Sequence, residues 1–163
     1  MKEGADLPSM DAQTNDPLAD TGLLQAVDEW RGVPLHAISP AVLAYIGDAV
    51  YELYIRMRVL RRQYQKVNAL HQATVTRVKA DAQVQVLAYM EPFLTESEKD
   101  MVRRGRNNKS GSSTRGSSVM VYRNSTAFET LLGYLYLTRQ EARMMELLET
   151  ALTKMEAEPV AGE

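Results

Sequence analysis

Two long apolar stretches of this chain each carry a single charge, and both charges are carboxylates. From Pro40 to Tyr51 the sequence reads PAVLAYIGDAVY, with Asp48 as its only charge; from Asn124 to Thr138 it reads NSTAFETLLGYLYLT, with Glu129 as its only charge. A carboxylate within an otherwise buried helix is costly to desolvate unless a cation, a metal or a strong donor compensates it. The economical explanation of two such cases is that the acids meet at one metal site.

The helical pattern around these acids organises most of the chain. Ser39 and Pro40 form an N-cap followed by proline at the first helical position, opening a helix expected to run to about Arg62. On it Val42, Leu43, Ile46, Ala49, Val50, Leu53, Met57 and Leu60 share one arc, read as the core face, with Asp48 almost opposite. The opposite arc is also apolar, through Ala41, Ala44, Tyr45, Tyr51 and Ile55. Asp48 and Glu52 are therefore expected to line a cleft or an interface. Gly47 costs roughly 1 kcal/mol against alanine in a helix interior, which suggests that another backbone or a ligand approaches there.

Downstream, residues 68–90 read as one or two helices, with Val75, Val78, Ala82, Val86 and Met90 inward and Arg77 and Lys79 outward. Thr95 and Glu98 match a capping box opening a helix to Arg103 or Arg104, with Gly105 as its stop. A serine- and glycine-rich loop, RNNKSGSSTRGSS from Arg106 to Ser118, precedes the helix of Glu129. A last helix from about Gln140 to Glu156 turns Met144, Leu147, Leu148, Ala151, Leu152 and Met155 inward. Upstream, Leu23 to Arg31 is expected to form a short helix packing Trp30. No strand pattern competes, so the expected fold is all-α, a helical bundle in one domain over residues 21–157. Residues 1–20 are acidic and expected to be disordered, and 158–163 form a short tail.

Composition excludes several functions. Without cysteine there are no disulfides, zinc thiolates or cysteine nucleophiles, and a reducing cytoplasm is the natural compartment. No uncharged stretch approaches the roughly 20 apolar residues that span a bilayer, so no membrane partner is expected. His36 and His71 are too isolated for a zinc site or a triad, and His71 is read as a packing residue. Net charge is −2, yet Met101 to Phe128 holds no acid and carries +6 through Arg103, Arg104, Arg106, Lys109, Arg115 and Arg123, leaving −8 for the rest. Such a concentrated basic segment is the footprint of a polyanion contact.

The two acidic helices also carry a resemblance. LAYIGDAVYELY resembles the signature helix of the ribonuclease III family, close to LEFLGDAVLELV, and STAFETLLGYLYL resembles its second acidic helix, near ADVFEALLGALYL. The match runs from about Ile38 to Leu152. With RGRNNKSG, and with no double-stranded RNA-binding domain expected after Glu163, the chain is most similar to the Mini-ribonuclease III subfamily. The resemblance implies a dimeric ribonuclease III endonuclease-domain fold. It also implies a homodimer that cleaves double-stranded RNA and matures precursor ends of 23S ribosomal RNA. Asp48 and Glu129 would be both catalytic and metal-binding.

Two departures accompany it. The wider family has a glutamate one turn before the signature aspartate, where this chain has Ala44, and an acid three residues before the last glutamate, where it has Thr126. A two-acid site suits Mg2+, which keeps several waters and takes one or two carboxylates, with Mn2+ able to substitute. RNA phosphates are assigned to Arg104, Arg106, Asn107 and Lys109, and secondarily to Arg77 and Lys79. Glu52 is read chiefly as the ion-pair partner of Arg56 one turn on. The competing structural roles are an arginine partner for Asp48 and, for Glu129, a capping box opened by Thr126.

Overall fold

The computed structural model describes residues 33–62, 66–108 and 118–157. The expected helix around Trp30, the N-terminal extension, the 158–163 tail and Lys109 lie outside the described residues. Among the described residues six α-helices follow in order: α1 Pro40–Arg62, α2 Val67–Val78, α3 Ala80–Met90, α4 Glu96–Arg106, α5 Val119–Leu137 and α6 Glu141–Ala157. No strand occurs among the described residues, and the fold is all-α.

Helix α5 is the axle. Its buried residues Ser125–Phe128, Thr130–Gly133 and Leu135 go nearly all the way round, and α1, α3, α4 and α6 pack on it. A helix apolar on every side must be wrapped by protein, which is what this sequence dictates. Its start is fixed by Ser118, whose Oγ accepts from the Val121 N–H at 3.2 Å. The core joins Tyr51 and Ile55 of α1 to Phe128, Leu131 and Leu135 of α5 and to Leu147 and Leu148 of α6. Within it Tyr51 and Phe128 meet edge to face, centroids 4.8 Å apart, a geometry aromatic quadrupoles favour.

The inward face of α1 is largely rotated from the expected one, although Leu43 is buried and Val50 packs against the core as expected. Leu43, Ala44, Gly47, Tyr51, Ile55 and Val59 are buried, whereas Val42, Leu53, Met57 and Leu60 are exposed. Hydrophobicity could not choose between two apolar arcs. Backbone proximity did, because only the arc holding Ala44 and Gly47 lets α5 approach closely. A β-carbon on Gly133 of α5 would stand 1.9 Å from the Leu43 carbonyl oxygen, so both helices need glycine where they cross.

Gly105 also differs from expectation. It does not stop α4, which continues to Arg106; instead it lies buried against α5, where a β-carbon would come within 2.5 Å of Thr130 Oγ1. Val75 and His71 are exposed rather than inward, since α2 buries only Thr74 fully. The capping box of α4 forms as expected: Thr95 Oγ1 accepts from the Glu98 N–H at 3.3 Å, and Glu98 Oε2 accepts from the Thr95 N–H at 2.7 Å. Glu98 also receives Arg143 Nε at 2.9 Å, which ties α6 to α4. The inward face of α6 is the expected one through Met144, Leu147, Leu148, Ala151 and Leu152.

Candidate active site

The glycine crossing brings the two isolated acids together. Gly47 immediately precedes Asp48, and a β-carbon on it would lie 1.8 Å from the backbone oxygen of Glu129. The two carboxylates therefore emerge from helices whose backbones touch. The Asp48 charge is felt at Glu129. Glu129 is pushed up to about 7, first by burial and then by the Asp48 charge, against the opposing hydrogen bond from Gln83. Asp48 is also raised, by loss of solvation and then by Glu52. In both cases loss of solvation is the first cause and a neighbouring carboxylate the second.

Neither structural role foreseen for these acids is observed. Among the described residues neither Asp48 nor Glu129 forms an ion pair. Glu129 is not in a capping box opened by Thr126, because α5 begins a full two turns earlier at Val119. Glu52 is held by Arg56, whose Nε donates to Oε1 at 3.0 Å. Among the described residues no group of three or more His, Cys, Asp or Glu could hold a metal. Two unneutralised carboxylates with no soft ligand fit a hard divalent ion that retains its own waters. Ala44 and Thr126, where the wider family has acids, are buried in the packed interior.

One residue of this site escaped the sequence reading. Gln83 on α3 is 2% exposed. Its Nε2 donates to the Val78 carbonyl at 3.1 Å, and its side chain also hydrogen-bonds Glu129. Both partners are acceptors, so the amide nitrogen must face them, and Oε1 is left buried without a partner. The available signal was a polar residue on the apolar arc shared by Val86, Leu87 and Met90.

The cations divide differently from the sequence order of preference. Arg106 Nε donates to Asn124 Oδ1 at 2.7 Å and Nη2 to Glu91 Oε1 at 3.0 Å, so its guanidinium is engaged within the fold. Asn124 precedes Glu129 by about 7 Å along α5. Arg104 Nη2 donates to the Ile38 carbonyl at 3.4 Å, and Asn107 caps α4 at the surface. Arg77 and Lys79 are exposed at the α2–α3 junction, where the chain turns extended at Lys79. That junction is tied to α1 through Tyr51 and to Glu129 through Gln83. Tyr51 Oη donates to the Arg77 carbonyl at 3.2 Å, and Val78 is the residue held by Gln83.

The chain is similar to several known proteins. A ribonuclease III domain model matches residues 41–140. The Mini-ribonuclease 3 of Thermoanaerobacter sp. (strain X514) is 48% identical over 120 residues, covering 74% of this chain and 84% of the relative. That of Symbiobacterium thermophilum is 46% identical over 114 residues, covering 70% and 88%. The Mini-ribonuclease 3 of Staphylococcus aureus is 38% identical over 129 residues, covering 78% and 96%. A crystal structure of a Fusobacterium nucleatum protein superposes with a TM-score of 0.65 at 27% identity, covering 73% of this chain and 95% of that one. The all-α fold, the two acidic helices and these matches agree: the chain belongs to the ribonuclease III family, in its Mini-ribonuclease III branch, and is an endoribonuclease.

Proposed function

We propose that the protein is a Mg2+-dependent, cytoplasmic homodimer that cleaves double-stranded RNA and matures precursor ends of 23S ribosomal RNA, with Asp48 and Glu129 as its catalytic and metal-binding residues. The observation that carries this is the meeting of two unneutralised carboxylates where α1 and α5 cross at Gly47 and Gly133. The 23S substrate follows from the subfamily resemblance.

Asp48 and Glu129 would hold the divalent ion through oxygen, a donor set equally suited to Mn2+. When bound, such an ion supplies Lewis acidity for in-line displacement at the scissile phosphate by water, giving 5′-phosphate and 3′-hydroxyl ends. The protein's own contribution is the preset geometry. Glu129 must lose its proton before it can ligate, and Gln83 favours the ionised form by donating to it. Lys79 and Arg77, exposed on the junction that Gln83 and Tyr51 anchor, are placed to take backbone phosphates, while Arg106 chiefly holds α4 to α5.

The exposed arc of α1 supports the dimer. Val42, Tyr45, Ala49, Leu53, Met57 and Leu60 lie on the solvent side, Tyr45 at 77% and Leu53 at 56% exposure. An apolar stripe along a whole helix suits an isologous contact with a second copy, which would present two acid pairs to the two strands of a duplex. Sedimentation showing only monomer at micromolar concentration would count against it.

The test of function is incubation of the purified protein with a long RNA duplex and with a transcript containing the base-paired 23S precursor ends, in Mg2+ or EDTA. Cleavage of both in Mg2+ alone is expected. Cleavage of the duplex but not the transcript would remove the 23S assignment. Binding without cleavage would favour a degenerate RNA-binding member, the reading that the loss of acids at Ala44 and Thr126 supports.

A further inference from the structure

Beyond the acid pair, the C-terminal end of α1 gathers arginines around a recess of about 280 Å³ lined by Arg58, Arg61, Arg62 and Glu149. A smaller recess beside it, about 110 Å³, adds Arg77 and Glu156 to Arg58 and Arg62. The first volume suits a small polar group rather than a drug-sized ligand. Arg58 to Arg62 lie about 15–21 Å beyond Asp48 along the helix axis, well away from the acids.

Part of this cluster is structural. Arg58 Nη1 donates to Glu149 Oε2 at 2.6 Å and Nη2 to Glu156 Oε2 at 3.3 Å, while Arg62 Nη1 donates to Glu156 Oε1 at 2.6 Å. These bonds hold α6 against α1. They do not account for the whole cluster. Four guanidinium groups face two carboxylates, an excess of two positive charges. The Arg58 side chain is 10% exposed, and its Nε–H is buried with no acceptor among the described residues. Arg61 is exposed and makes no hydrogen bond or ion pair among the described residues. A buried charged donor left unmet is expensive unless an acceptor arrives.

We infer that this arginine-lined recess binds a phosphoryl group, with the Arg58 Nε–H and the Arg61 guanidinium as donors the fold itself does not use. A phosphate dianion would cancel the excess charge, and its oxygens suit the planar fork of arginine. The group could be free phosphate or an RNA backbone phosphate, and the free-phosphate arm is independent of the nuclease reading.

The test follows the arginine Nε–H resonances of the full-length protein by NMR, without divalent ions, during titration with inorganic phosphate and separately with a short RNA duplex. Movement of the Arg58 resonance with inorganic phosphate at millimolar concentration, weakened about tenfold by Arg61→Gln, identifies a free-phosphate site. Movement with the duplex alone, weakened by the same substitution, identifies a backbone contact. Asp48→Asn should leave the response to inorganic phosphate unchanged, since that acid lies elsewhere. An Arg58 resonance unmoved by both probes, or a response that Arg61→Gln does not weaken, overturns the inference.

Discussion

Gly47 of α1 faces the backbone oxygen of Glu129 in α5 so closely that a β-carbon at position 47 would stand 1.8 Å from it. No side-chain rearrangement relieves a clash with backbone, so Gly47→Ala must drive the helices apart, and with them the two acids. We expect this substitution to destabilise the protein by about 1–3 kcal/mol despite alanine's better helix propensity, and to abolish cleavage. Urea unfolding and a duplex-cleavage assay on the same preparation measure both effects. An alanine variant as stable and active as the parent would show that the crossing is looser than described.

The raised acid makes stability depend on pH in a defined direction. Glu129 goes from 4.5 to about 7 on folding, so the folded state holds this proton more tightly than the unfolded one. Its contribution is therefore fully present below about pH 4.5 and is lost as pH rises through 7, amounting to at most about 3 kcal/mol. The metal-free protein should lose stability across that window, and Glu129→Gln, neutral throughout, should lose less and be the more stable above pH 7. Denaturant melts in EDTA from pH 5 to 8 check this; parallel curves for the two proteins would contradict it.

Gln83→Leu keeps the volume of the side chain but removes the donor to both Glu129 and the Val78 carbonyl. The Glu129 carboxyl should then titrate still higher, and divalent-ion affinity at pH 7 should fall about tenfold or more. Carbon-13 NMR of the carboxyl groups, with a Mn2+ binding titration, separates this from general unfolding. Unchanged titration and affinity would reduce Gln83 to a packing residue.

Much of the fold was legible because local signals agreed with one another. Ser39–Pro40, the Thr95–Glu98 box and the one-sided apolar pattern of α6 each specify one structure on short-range chemistry alone. The core face of α1 was not legible, since both arcs are apolar and the choice rests on Gly47 meeting Gly133, residues far apart in sequence. Gly105 was misread for the same reason: a glycine that ends a helix and one that admits a neighbouring helix look alike in sequence. The juxtaposition of Asp48 and Glu129 could be anticipated from their isolation as lone charges. Gln83 carries no charge and belonged to no motif, so only its buried position exposes its part in the site.

The two groups of cations can be told apart by salt. Arg77 and Lys79 are exposed at the α2–α3 junction, with Arg77 also lining the smaller recess, whereas Arg106 is engaged with Asn124 and Glu91. Neutralising Arg77 and Lys79 together should weaken duplex binding regardless of sequence and flatten the log–log salt slope by about two, since each lost phosphate contact removes roughly 0.9 of a counterion. Cleavage at saturating RNA should fall much less than at limiting RNA. An unaltered slope would return the RNA contact to the segment of Arg104, Asn107 and Lys109.

The most direct measurement is a calorimetric titration of Mg2+ or Mn2+ into the parent, Asp48→Asn and Glu129→Gln proteins, paired with duplex cleavage by the same samples. The parent should bind the ion with release of protons near pH 7, where Glu129 titrates, and should cut the duplex. Both variants should remain folded, because each loss relieves carboxylate repulsion, while losing ion binding and cleavage together. A variant that still cuts the duplex at the parent rate would show that its missing carboxylate takes no part in catalysis, and the account of the acid pair would fail.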